Sequence, residues 1–402
     1  MQVEIKPGTA CGAVQAPSSK SMTHRYLIAA ALVQGKSVIS GVEYSQDILA
    51  TIDCLRALGV DVSCEGDCVT VSGTASLKPQ EDLLCRESGS TLRFMLPLCL
   101  LSGEKAVLKG SARLMERPLN VYETLCAEKG FSFVRKEDKI EVCGKLAAGE
   151  YTLDASVSSQ FITGLIFALL CCDGESVIML KGKIESRSYI NLTLSALKSF
   201  GFSVGWKGED QLILSAQGGA PCDLAVEGDY SNAAFLDALN LLGGHVEVRG
   251  LKEDSLQGDR VYMDYFKEIQ KGTPTLSLAD CPDLGPILMA MAAAFHGARF
   301  TDAARLKIKE SDRGAAMAEE LKKCGVQVDL FENEIVVHSG TFSAPNQPLW
   351  GHNDHRIVMA MAVLCTRIGG LIDGAEAVRK SMPAFFEKIS DLGIEVDIVE
   401  VK

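Results

Sequence analysis

Six segments of the chain share one pattern, and this repetition constrains the fold more than any other sequence feature. In each segment an amphipathic, helix-like stretch runs into a glycine and then into alternating residues typical of a strand, as in LRALGVDV and LKSFGFSV. The glycines suit the left-handed conformation that often ends a helix; they are Gly59, Gly130, Gly201, Gly272, Gly325 and Gly393. They recur about every 70 residues, with one interval of about 50. This period predicts a small α/β unit that is used six times.

A second pattern alternates with the first: each repeat also contains a helix-like stretch that is apolar on all sides. The six stretches are YLIAAALV, TLRFMLPLCLL, FITGLIFALL, AAFLDALNLL, PILMAMAAAF and IVMAMAVLC. A helix without a polar face is typically buried, so each unit should hold one buried and one amphipathic helix against its strands. Because 402 residues exceed what a single hydrophobic core usually supports, the six units predict two lobes of three.

Polar residues precede every buried helix. They read SSKSMTHR, RESGSTLR, VSSQ, EGDYSN, DCPD and HNDHR. Capping of free backbone N–H groups by Ser or Asp would explain any single copy. Lys20, Arg25, Arg93 and Arg356 lie in these segments. Because helix N-termini carry partial positive charge and bind anions, six such starts with cations beside them predict a site for a small anionic substrate between the lobes.

Charge and hydropathy exclude two classes of partner. The net charge of -12 argues against nucleic acid and against anionic membrane surfaces, which are bound through an excess of Lys and Arg. The longest apolar runs, such as FITGLIFALLCC, fall short of the ~20 residues that span a bilayer. The N-terminal MQVEIKPGTA lacks the organisation of a signal peptide, so we expect a cytoplasmic protein.

The fourteen cysteines favour neither disulfides nor a metal site. No CxxC pair occurs, and several cysteines, including Cys99 and Cys365, lie inside apolar runs, where a free cysteine behaves as a small hydrophobe. The close pair Cys64 and Cys68 has no histidine nearby in sequence. We therefore expect reduced thiols, no metal ion and no cofactor.

The KESDR segment at 309–313 makes the chain recognisable. Lys309 and Arg313 are four residues apart, so we expect both on one face of a helix start with Glu310 beside them; a solvated charged turn is the plain alternative. Together with other motifs in the same order along the chain, this segment resembles the enolpyruvyl transferase family. The motifs are SKSMTHR, ESGSTLR, ERP (116–118), SSQ, ESRSYI (185–190), PD (282–283), KESDR, NDHR (353–356) and RKSMPAFF (379–386).

The resemblance implies a fold and a domain organisation. The fold class is α/β, a two-lobed inside-out α/β barrel in which each lobe has three βαβαββ units around buried helices. The first lobe would be residues 20–227, and the second would combine 1–19 with 228–402. The chain would cross between the lobes near 17–20 and 226–229.

It also implies an activity. Members of this family transfer the enolpyruvyl (carboxyvinyl) group of phosphoenolpyruvate, and the motifs match the branch that delivers it to the 5-hydroxyl of shikimate 3-phosphate. Phosphate leaves by addition and elimination through a tetrahedral intermediate, on the route to chorismate and the aromatic amino acids. Both small-molecule substrates are strongly anionic, which agrees with the predicted anion site. The resemblance implies a monomer.

Residue roles carry over motif by motif. The resemblance assigns catalysis to Lys20, Asp283, Glu310 and His355. It assigns the binding of shikimate 3-phosphate to Lys20, Ser21, Arg25, Ser158, Ser159, Gln160, Ser186, Tyr189, Asp283 and Lys309. It assigns the binding of phosphoenolpyruvate to Lys20, Gly89, Arg117, Gln160, Arg313, Arg356 and Lys380. A satisfied structural histidine is the alternative for His355, and His24 receives no role.

The sequence differs from the family pattern at three positions, and two alternative functions are considered. Glu87 and Ser90 stand where many relatives have Asn and Thr, and Arg305 replaces an Asn that touches shikimate 3-phosphate in some relatives. A sister enzyme that acts on UDP-N-acetylglucosamine is one rival, but the expected Lys-Asn pair is Lys20-Ser21 here and SARLMERP lacks the reactive cysteine. A non-catalytic metabolite-binding protein is the other, although both proposed proton carriers are present.

Overall fold

The computed structural model describes residues 1–74 and 76–399. The chain divides into two compact lobes. The first lobe is Ser18–Glu227, and the second combines Met1–Pro17 with the chain from Gly228 onward. The chain therefore leaves the second lobe after residue 17 and returns to it after residue 227.

The described residues form strands throughout both lobes. In chain order these are β1 (Gln2–Ile5), β2 (Cys11–Gln15), β3 (Gly35–Ser40), β4 (Asp61–Glu65), β5 (Cys68–Gly73), β6 (Leu83–Leu84), β7 (Ala106–Lys109), β8 (Ser132–Arg135), β9 (Lys139–Cys143), β10 (Glu150–Asp154), β11 (Glu175–Lys181), β12 (Ser203–Lys207), β13 (Gln211–Ser215), β14 (Leu224–Ala225), β15 (His245–Arg249), β16 (Thr275–Ser277), β17 (Ala298–Thr301), β18 (Val328–Leu330), β19 (Glu334–Val337), β20 (Leu349–Trp350), β21 (Gly370–Asp373) and β22 (Val396–Val399).

Helices alternate with these strands. In chain order they are α1 (Lys20–Ala31), α2 (Gln46–Ala57), α3 (Gly89–Cys99), α4 (Ala112–Glu116), α5 (Asn120–Lys129), α6 (Ser159–Leu169), α7 (Arg187–Ser199), α8 (Tyr230–Leu241), α9 (Tyr262–Lys271), α10 (Gly285–Ala294), α11 (Arg313–Lys323), α12 (His355–Ile368) and α13 (Phe385–Asp391). Short 3-10 helices cover Gly258–Val261, Pro282–Leu284, Ala304–Ile308 and Ala375–Lys380. In the described part of the chain, no helix combines the length and the apolar character needed to cross a membrane.

Three four-stranded sheets of the first lobe repeat one arrangement. Their strand orders are β14-β3-β5-β4, β6-β7-β9-β8 and β10-β11-β13-β12. In each sheet the first pair is parallel and the other two pairs are antiparallel. A parallel pair needs a long crossover, whereas an antiparallel pair closes with a short turn. In two of the sheets the buried helices α3 and α6 form the crossovers β6-α3-β7 and β10-α6-β11, and a hairpin forms the far edge, which is the βαβαββ unit. In the remaining sheet the strand parallel to β3 is β14, which comes from the end of the lobe, so no single helix connects that pair.

Two sheets of the second lobe have the same pattern of one parallel pair followed by two antiparallel pairs, with orders β16-β17-β19-β18 and β20-β21-β1-β22. In the second of them β1, at the start of the chain, lies between two strands from the other end. Val3 is opposite Ile372 of β21 on one side and Ile398 of β22 on the other, both antiparallel. The N-terminal strand thus completes a sheet of the second lobe.

The fourth repeat departs from the predicted pattern. β2 and β15 form a parallel sheet of two strands, and no hairpin follows α9 in the described chain. Gly272, expected to be left-handed, has a φ of 171°, which is extended backbone. The prediction was wrong here because α9 leads directly into β16, the first strand of the next unit. The other five glycines have φ between 70° and 92° as predicted.

The six all-apolar stretches form the cores of the two lobes. Within the first lobe these are α1, α3 and α6, with side chains such as Leu27, Phe94 and Phe167 fully buried. Within the second they are α8, α10 and α12, where Ile287 and Met361 are equally inaccessible. Strands bury alternate residues, as in β9, because one face of each sheet covers the helices. Each lobe is therefore built with helices inside and sheets outside.

A glycine allows α6 to pack closely against α3 in the first lobe. An ideal Cβ on Gly164 of α6 would lie 2.2 Å from the carbonyl oxygen of Arg93 on α3 and 2.4 Å from the hydroxyl of Tyr122. That hydroxyl is itself 2.8 Å from the Arg93 carbonyl oxygen. The two helices can approach this closely because Gly164 has no side chain, and their N-terminal ends are held side by side as a result.

Candidate active site

The three buried helices of the first lobe begin with serine caps. Ser19, Ser88 and Ser158 precede α1, α3 and α6, and each hydroxyl accepts a hydrogen bond from a backbone N–H of the first turn. One cap satisfies only part of the free N–H groups at a helix start. Gln160 of α6 donates from Nε2 to Ser90 Oγ of α3 at 2.9 Å. The starts of α3 and α6 are therefore adjacent.

Lys20 is the first residue of α1 and pairs with a carboxylate. Its Nζ lies 2.7 Å from Oδ2 of Asp47, and the two side chains are only 15% and 11% exposed. Asp47 lies in the first turn of α2, after the Ser45 cap. Our sequence reasoning missed Asp47, although a further capped helix start, SQD, was visible in the sequence.

Arg25 is a buried guanidinium without a carboxylate partner among the described residues. Its Nε donates to Thr193 Oγ1 at 2.9 Å, Nη1 to the Ser21 carbonyl at 2.7 Å and Nη2 to the Tyr189 carbonyl at 3.0 Å. Burial lowers the pKa of Arg25 to about 10. A positive charge buried with neutral partners favours the approach of an anion.

Gly89 and Arg117 form a second anion-binding geometry. Gly89 is the first residue of α3, and the Arg117 guanidinium stands so close that an ideal Cβ on Gly89 would meet its Nη1 at 2.4 Å. Arg117 is 6% exposed, and its buried Nε has no hydrogen-bond partner within the described chain. A helix start, a bare backbone and a buried guanidinium together match what a phosphate group needs.

Arg93 joins this group although only its neighbours were assigned roles. Its Nη1 donates to Gln160 Oε1 at 2.6 Å and its Nη2 to the Pro118 carbonyl at 3.1 Å, while the guanidinium lies 5.0 Å from the centre of the Phe161 ring. Gln160, predicted to span the substrates, is thus fixed by α3 through both ends of its amide. The signal was present, since Arg93 belongs to the ESGSTLR motif.

The predicted serines cluster at the starts of α6 and α7. Ser158 and Ser159 are buried at the beginning of α6. Ser186 precedes α7, is 1% exposed and has a φ of 53°, a left-handed conformation that is uncommon for a serine. Tyr189, in the first turn of α7, lies under Arg25, with the guanidinium 5.9 Å from the ring centre.

His24, which received no role from the sequence, is a buried residue that links helices of the first lobe. It is 1% exposed, and its Nδ1 is 2.7 Å from Thr51 Oγ1, which is 2.8 Å from Thr91 Oγ1. Thr91 in turn donates to the Ser88 cap of α3 at 2.8 Å. Burial, with the charges of Lys20 and Arg25, lowers the pKa of His24 well below its usual value. A neutral histidine therefore ties α1 to α2 and α3.

In the second lobe Arg313 lies among three carboxylates. Its Nε is 2.8 Å from Asp354 Oδ2, Nη1 is 2.7 Å from Asp283 Oδ1 and Nη2 is 2.6 Å from Glu310 Oε2. Arg313 is 1% exposed. Burial opposes its charge, but the three carboxylates raise the pKa of Arg313 overall. Asp354, the N-cap of α12, was not among the predicted site residues.

Asp283 forms ion pairs with three of the predicted cations. Besides Arg313, it has Lys309 Nζ 3.1 Å from Oδ1 and Arg356 Nη2 3.3 Å from Oδ2. Burial alone would raise the pKa of Asp283, but the charges of Arg356, Lys309 and Arg313 hold it well below its usual range. Burial lowers the pKa of Lys309 to about 8; Arg305 and Arg313 act in the same direction, and Asp283 opposes them.

The expected helix start at Lys309 is corrected by the structure. Lys309 is extended and follows the 3-10 helix Ala304–Ile308, whereas α11 begins at Arg313 after an Asp312 cap. The two cations therefore do not share a helix face. They come together because both contact Asp283.

The remaining predicted residues flank this group. Glu310 is bound to Arg313 as described, and His355 is buried at the start of α12, with Nδ1 3.8 Å from Asp354 Oδ1. Lys380 is farther out and donates from Nζ to the Asn353 carbonyl at 2.6 Å. The second lobe thus gathers Asp283, Lys309, Glu310, Arg313, His355, Arg356 and Lys380 around the starts of α10 and α12.

The two groups differ in charge. The first-lobe cluster has four cations and one carboxylate: Lys20, Arg25, Arg93 and Arg117, with Asp47. The second-lobe cluster has four cations and three carboxylates: Lys309, Arg313, Arg356 and Lys380, with Asp283, Glu310 and Asp354. A buried excess of positive charge requires anions, and perturbed titratable groups beside it are typical of catalytic sites. Clusters of this kind are typical of enzymes that act on small phosphorylated anions.

Comparison with known proteins gives the family. The sequence model of EPSP synthase (3-phosphoshikimate 1-carboxyvinyltransferase) matches residues 6–389. The 3-phosphoshikimate 1-carboxyvinyltransferase of Clostridium kluyveri is 37% identical, over 98% of each chain, and that of Clostridium beijerinckii is 36% identical, over 97% of each. The structure of EPSP synthase from Acinetobacter baumannii matches with a TM-score of 0.79 and 24% identity, over 99% of this chain and 100% of that one. The chain belongs to the EPSP synthase family.

These matches confirm two predictions. The α/β fold of two inside-out lobes is the fold of the matched structures. The reaction is that of the family, the transfer of an enolpyruvyl group to shikimate 3-phosphate in the shikimate pathway. The rival that acts on UDP-N-acetylglucosamine is not favoured, since the family model and both relatives carry the same activity.

Proposed function

We propose that both clusters serve this reaction. The first-lobe cluster would bind most of the phosphate groups and supply the proton donor Lys20, and the second-lobe cluster would supply Asp283 and Glu310 for proton transfer and further cations for phosphoenolpyruvate. The observation that carries the proposal is the Arg117 guanidinium, buried over the bare backbone of Gly89 at the start of α3. Together with Arg25, it gives the first lobe two buried cations with no carboxylate partner in the described chain.

Arg25 is suited to the carboxylate of shikimate 3-phosphate. A guanidinium has five N–H hydrogens, and three are used within the lobe, one on each nitrogen. One hydrogen therefore remains on each terminal nitrogen, which is the arrangement of a bidentate fork. Ser21 would complete the carboxylate site, while Ser158, Ser159 and Ser186 would bind the phosphate at the starts of α6 and α7. Gln160, Tyr189 and Lys309 complete the assigned set.

Phosphoenolpyruvate would be bound through both of its anionic groups. Gly89, Arg117 and Lys380 would take the phosphate, and Lys20 and Gln160 would contact both substrates. Arg313 and Arg356 would take the carboxylate. Since Arg313 already binds three internal carboxylates, binding would require it to exchange one of them for the substrate.

The proton steps follow from the positions of four groups. Asp283 would accept the proton of the 5-hydroxyl while the hydroxyl oxygen attacks C2 of phosphoenolpyruvate. Glu310 would protonate C3, which gives the tetrahedral intermediate. In the elimination the Glu310 carboxylate would take a proton back from the methyl group, the C2–O bond to phosphate would break, and Lys20 would supply a proton to the bridging oxygen of the departing phosphate. His355, buried beside Asp354, would assist near Glu310.

Single substitutions test these roles. Lys20→Met and Glu310→Ala should each lower kcat for phosphate release by about 10²- to 10⁴-fold, because a positioned proton donor is lost. Lys36→Met and Glu319→Ala are matched controls at exposed positions and should behave as the wild type. A near-normal kcat in either site variant would refute its role. Binding of both substrates without any turnover by the wild type would instead favour the non-catalytic alternative.

We also propose that the protein acts as a monomer in the cytoplasm. All fourteen cysteines are free thiols, which suits a reducing compartment, and the family resemblance favours a monomer. Light scattering after size-exclusion chromatography should give the chain mass of 43.1 kDa. A mass twice as large would contradict the proposal.

A further inference from the structure

A strained turn connects the second-lobe cluster to the rest of its lobe. In the 351–354 turn, from Gly351 to Asp354, the Asp354 N–H donates to the Gly351 carbonyl at 2.8 Å. Both central residues are left-handed, His352 with a φ of 48° and Asn353 with a φ of 51°. A turn with two positive φ values favours glycine and asparagine, so a histidine here must be held by its surroundings.

The turn determines where several site groups lie. The Asn353 carbonyl accepts the hydrogen bond of Lys380 at 2.6 Å. Asp354 both caps α12 and binds Arg313, and Arg356 follows in the first turn of the helix. A shift of the 351–354 turn would therefore displace these cations together.

Glu320 of α11 is the side chain that holds this turn. It is fully buried, and its Oε2 accepts the backbone N–H of Trp350 at 2.8 Å while its Oε1 is 2.9 Å from His352 Nε2. The carboxylate thus fixes the chain on both sides of Gly351. Burial opposes the charge, but hydrogen bonds from His352, Lys323 and the Trp350 backbone lower the pKa of Glu320 overall.

A lysine supplies positive charge beside Glu320. Glu319, Glu320 and His352 offer ligand atoms within 4.8 Å of one another. However, the Lys323 ammonium already lies 2.9 Å from Oε1 and 2.8 Å from Oε2 of Glu320, so a cation is in place. Glu319 is exposed. Glu320 therefore acts on the turn as a charged hydrogen-bond acceptor.

We propose that Glu320 is a positioning residue for phosphoenolpyruvate, which acts by holding His352 in its left-handed conformation and so directing Lys380 and Arg356. The inference rests on the proposed function, in which those two cations bind phosphoenolpyruvate. Glu320 itself touches no substrate in this proposal.

The test is steady-state phosphate release by the full chain, with phosphoenolpyruvate varied at saturating shikimate 3-phosphate and then the reverse. Glu320→Gln keeps the shape but replaces one acceptor oxygen with a donor, so the KM for phosphoenolpyruvate should rise about tenfold. The KM for shikimate 3-phosphate should stay within about twofold of the wild type. Glu319→Gln, the exposed neighbour on the same helix, should leave both unchanged.

A suppressor separates positioning from general destabilisation. Glycine adopts a positive φ without support, so Glu320→Gln combined with His352→Gly should regain most of the lost affinity for phosphoenolpyruvate. An unchanged KM in Glu320→Gln, or a raised KM that the glycine does not lower, would overturn the proposal. Should Glu320→Gln fail to fold, His352→Phe removes the same contact and leaves Glu320 bound to Lys323 and Trp350; a wild-type KM there would overturn it equally.

The Lys380→Met variant tests the role of Lys380 in binding phosphoenolpyruvate separately from the role of Glu320. If this variant leaves the KM for phosphoenolpyruvate unchanged, the assigned role of Lys380 is wrong, whatever Glu320 does. If it raises that KM, the double variant Glu320→Gln/Lys380→Met should cost little more than Lys380→Met alone. Losses that multiply in full would show that Glu320 does not act through Lys380 and would overturn the proposal.

Discussion

Replacing Gly89 with alanine should weaken the binding of phosphoenolpyruvate without weakening the fold. The added methyl carbon would lie 2.4 Å from Nη1 and 2.7 Å from Cζ of Arg117. An ordinary contact is at least 3.4 Å, so the guanidinium must retreat by about 1 Å at a site where it is 6% exposed and has little room. Alanine itself is compatible with the first turn of α3 and is favoured over glycine by up to about 1 kcal/mol.

The size of the effect follows from the contact that is lost. A hydrogen bond between charged groups contributes about 1.5–3 kcal/mol, and its loss corresponds to roughly a 10- to 150-fold weaker interaction. The KM for phosphoenolpyruvate should rise in that range, while the KM for shikimate 3-phosphate should change much less. Phosphate release measured with each substrate varied in turn gives both values.

A matched control lies in the same lobe. Gly205 of β12 has no atom within 4 Å of an ideal Cβ, so Gly205→Ala should leave both KM values unchanged. If Gly89→Ala binds phosphoenolpyruvate as tightly as the wild type does, Arg117 and the start of α3 do not form the phosphate site. If Gly89→Ala has a clearly lower melting temperature than the wild type, the loss of affinity comes from a weakened fold and not from the displacement of Arg117.

Two further predictions use the same assays. Lys309, with a pKa of about 8, is a cation below that pH and neutral above it, so the wild-type kcat/KM should fall as the pH rises through about 8; Lys309→Arg should extend the profile to higher pH, and an identical profile would exclude Lys309 as the titrating group. Gly164→Ala places a methyl 2.2 Å from the Arg93 carbonyl and should lower the free energy of unfolding by about 1–3 kcal/mol. Urea titration against Gly205→Ala checks this value, and equal midpoints would refute the packing argument.

The fold was predictable where local sequence alone decides it. An all-apolar helix has only one stable environment, and a glycine after a helix has a strong conformational preference. At Gly272 local sequence was not sufficient to predict the structure. The TPTLSL segment after it alternates as a strand should, but its role as the first strand of the next sheet depends on pairing with Arg299–Thr301 of β17, which no local pattern records.

The sequence predicted the cations of the site, but it did not predict all of the carboxylates that they pair with. Motifs gave Lys20 and Arg313, but their partners Asp47 and Asp354 lie 27 and 41 residues away, and only the fold brings them together. The helix start at Lys309 was misread for another reason. A spacing of four suggested one helix face, whereas Asp312 is the better cap and accepts the Ala315 N–H at 3.1 Å.

The charge balance of the second-lobe cluster suggests how substrate binding prepares the base. Arg356, Lys309 and Arg313 keep the pKa of Asp283 well below its usual range, and such a carboxylate is a weak proton acceptor. If phosphoenolpyruvate binds Arg313 and Arg356 through its carboxylate as proposed, these cations should hold Asp283 less tightly, and the proton affinity of Asp283 should rise when the 5-hydroxyl must be deprotonated. Carboxyl titration by NMR should then give Asp283 a higher pKa with phosphoenolpyruvate bound than without it; an unchanged pKa would mean that the cations keep their internal partners.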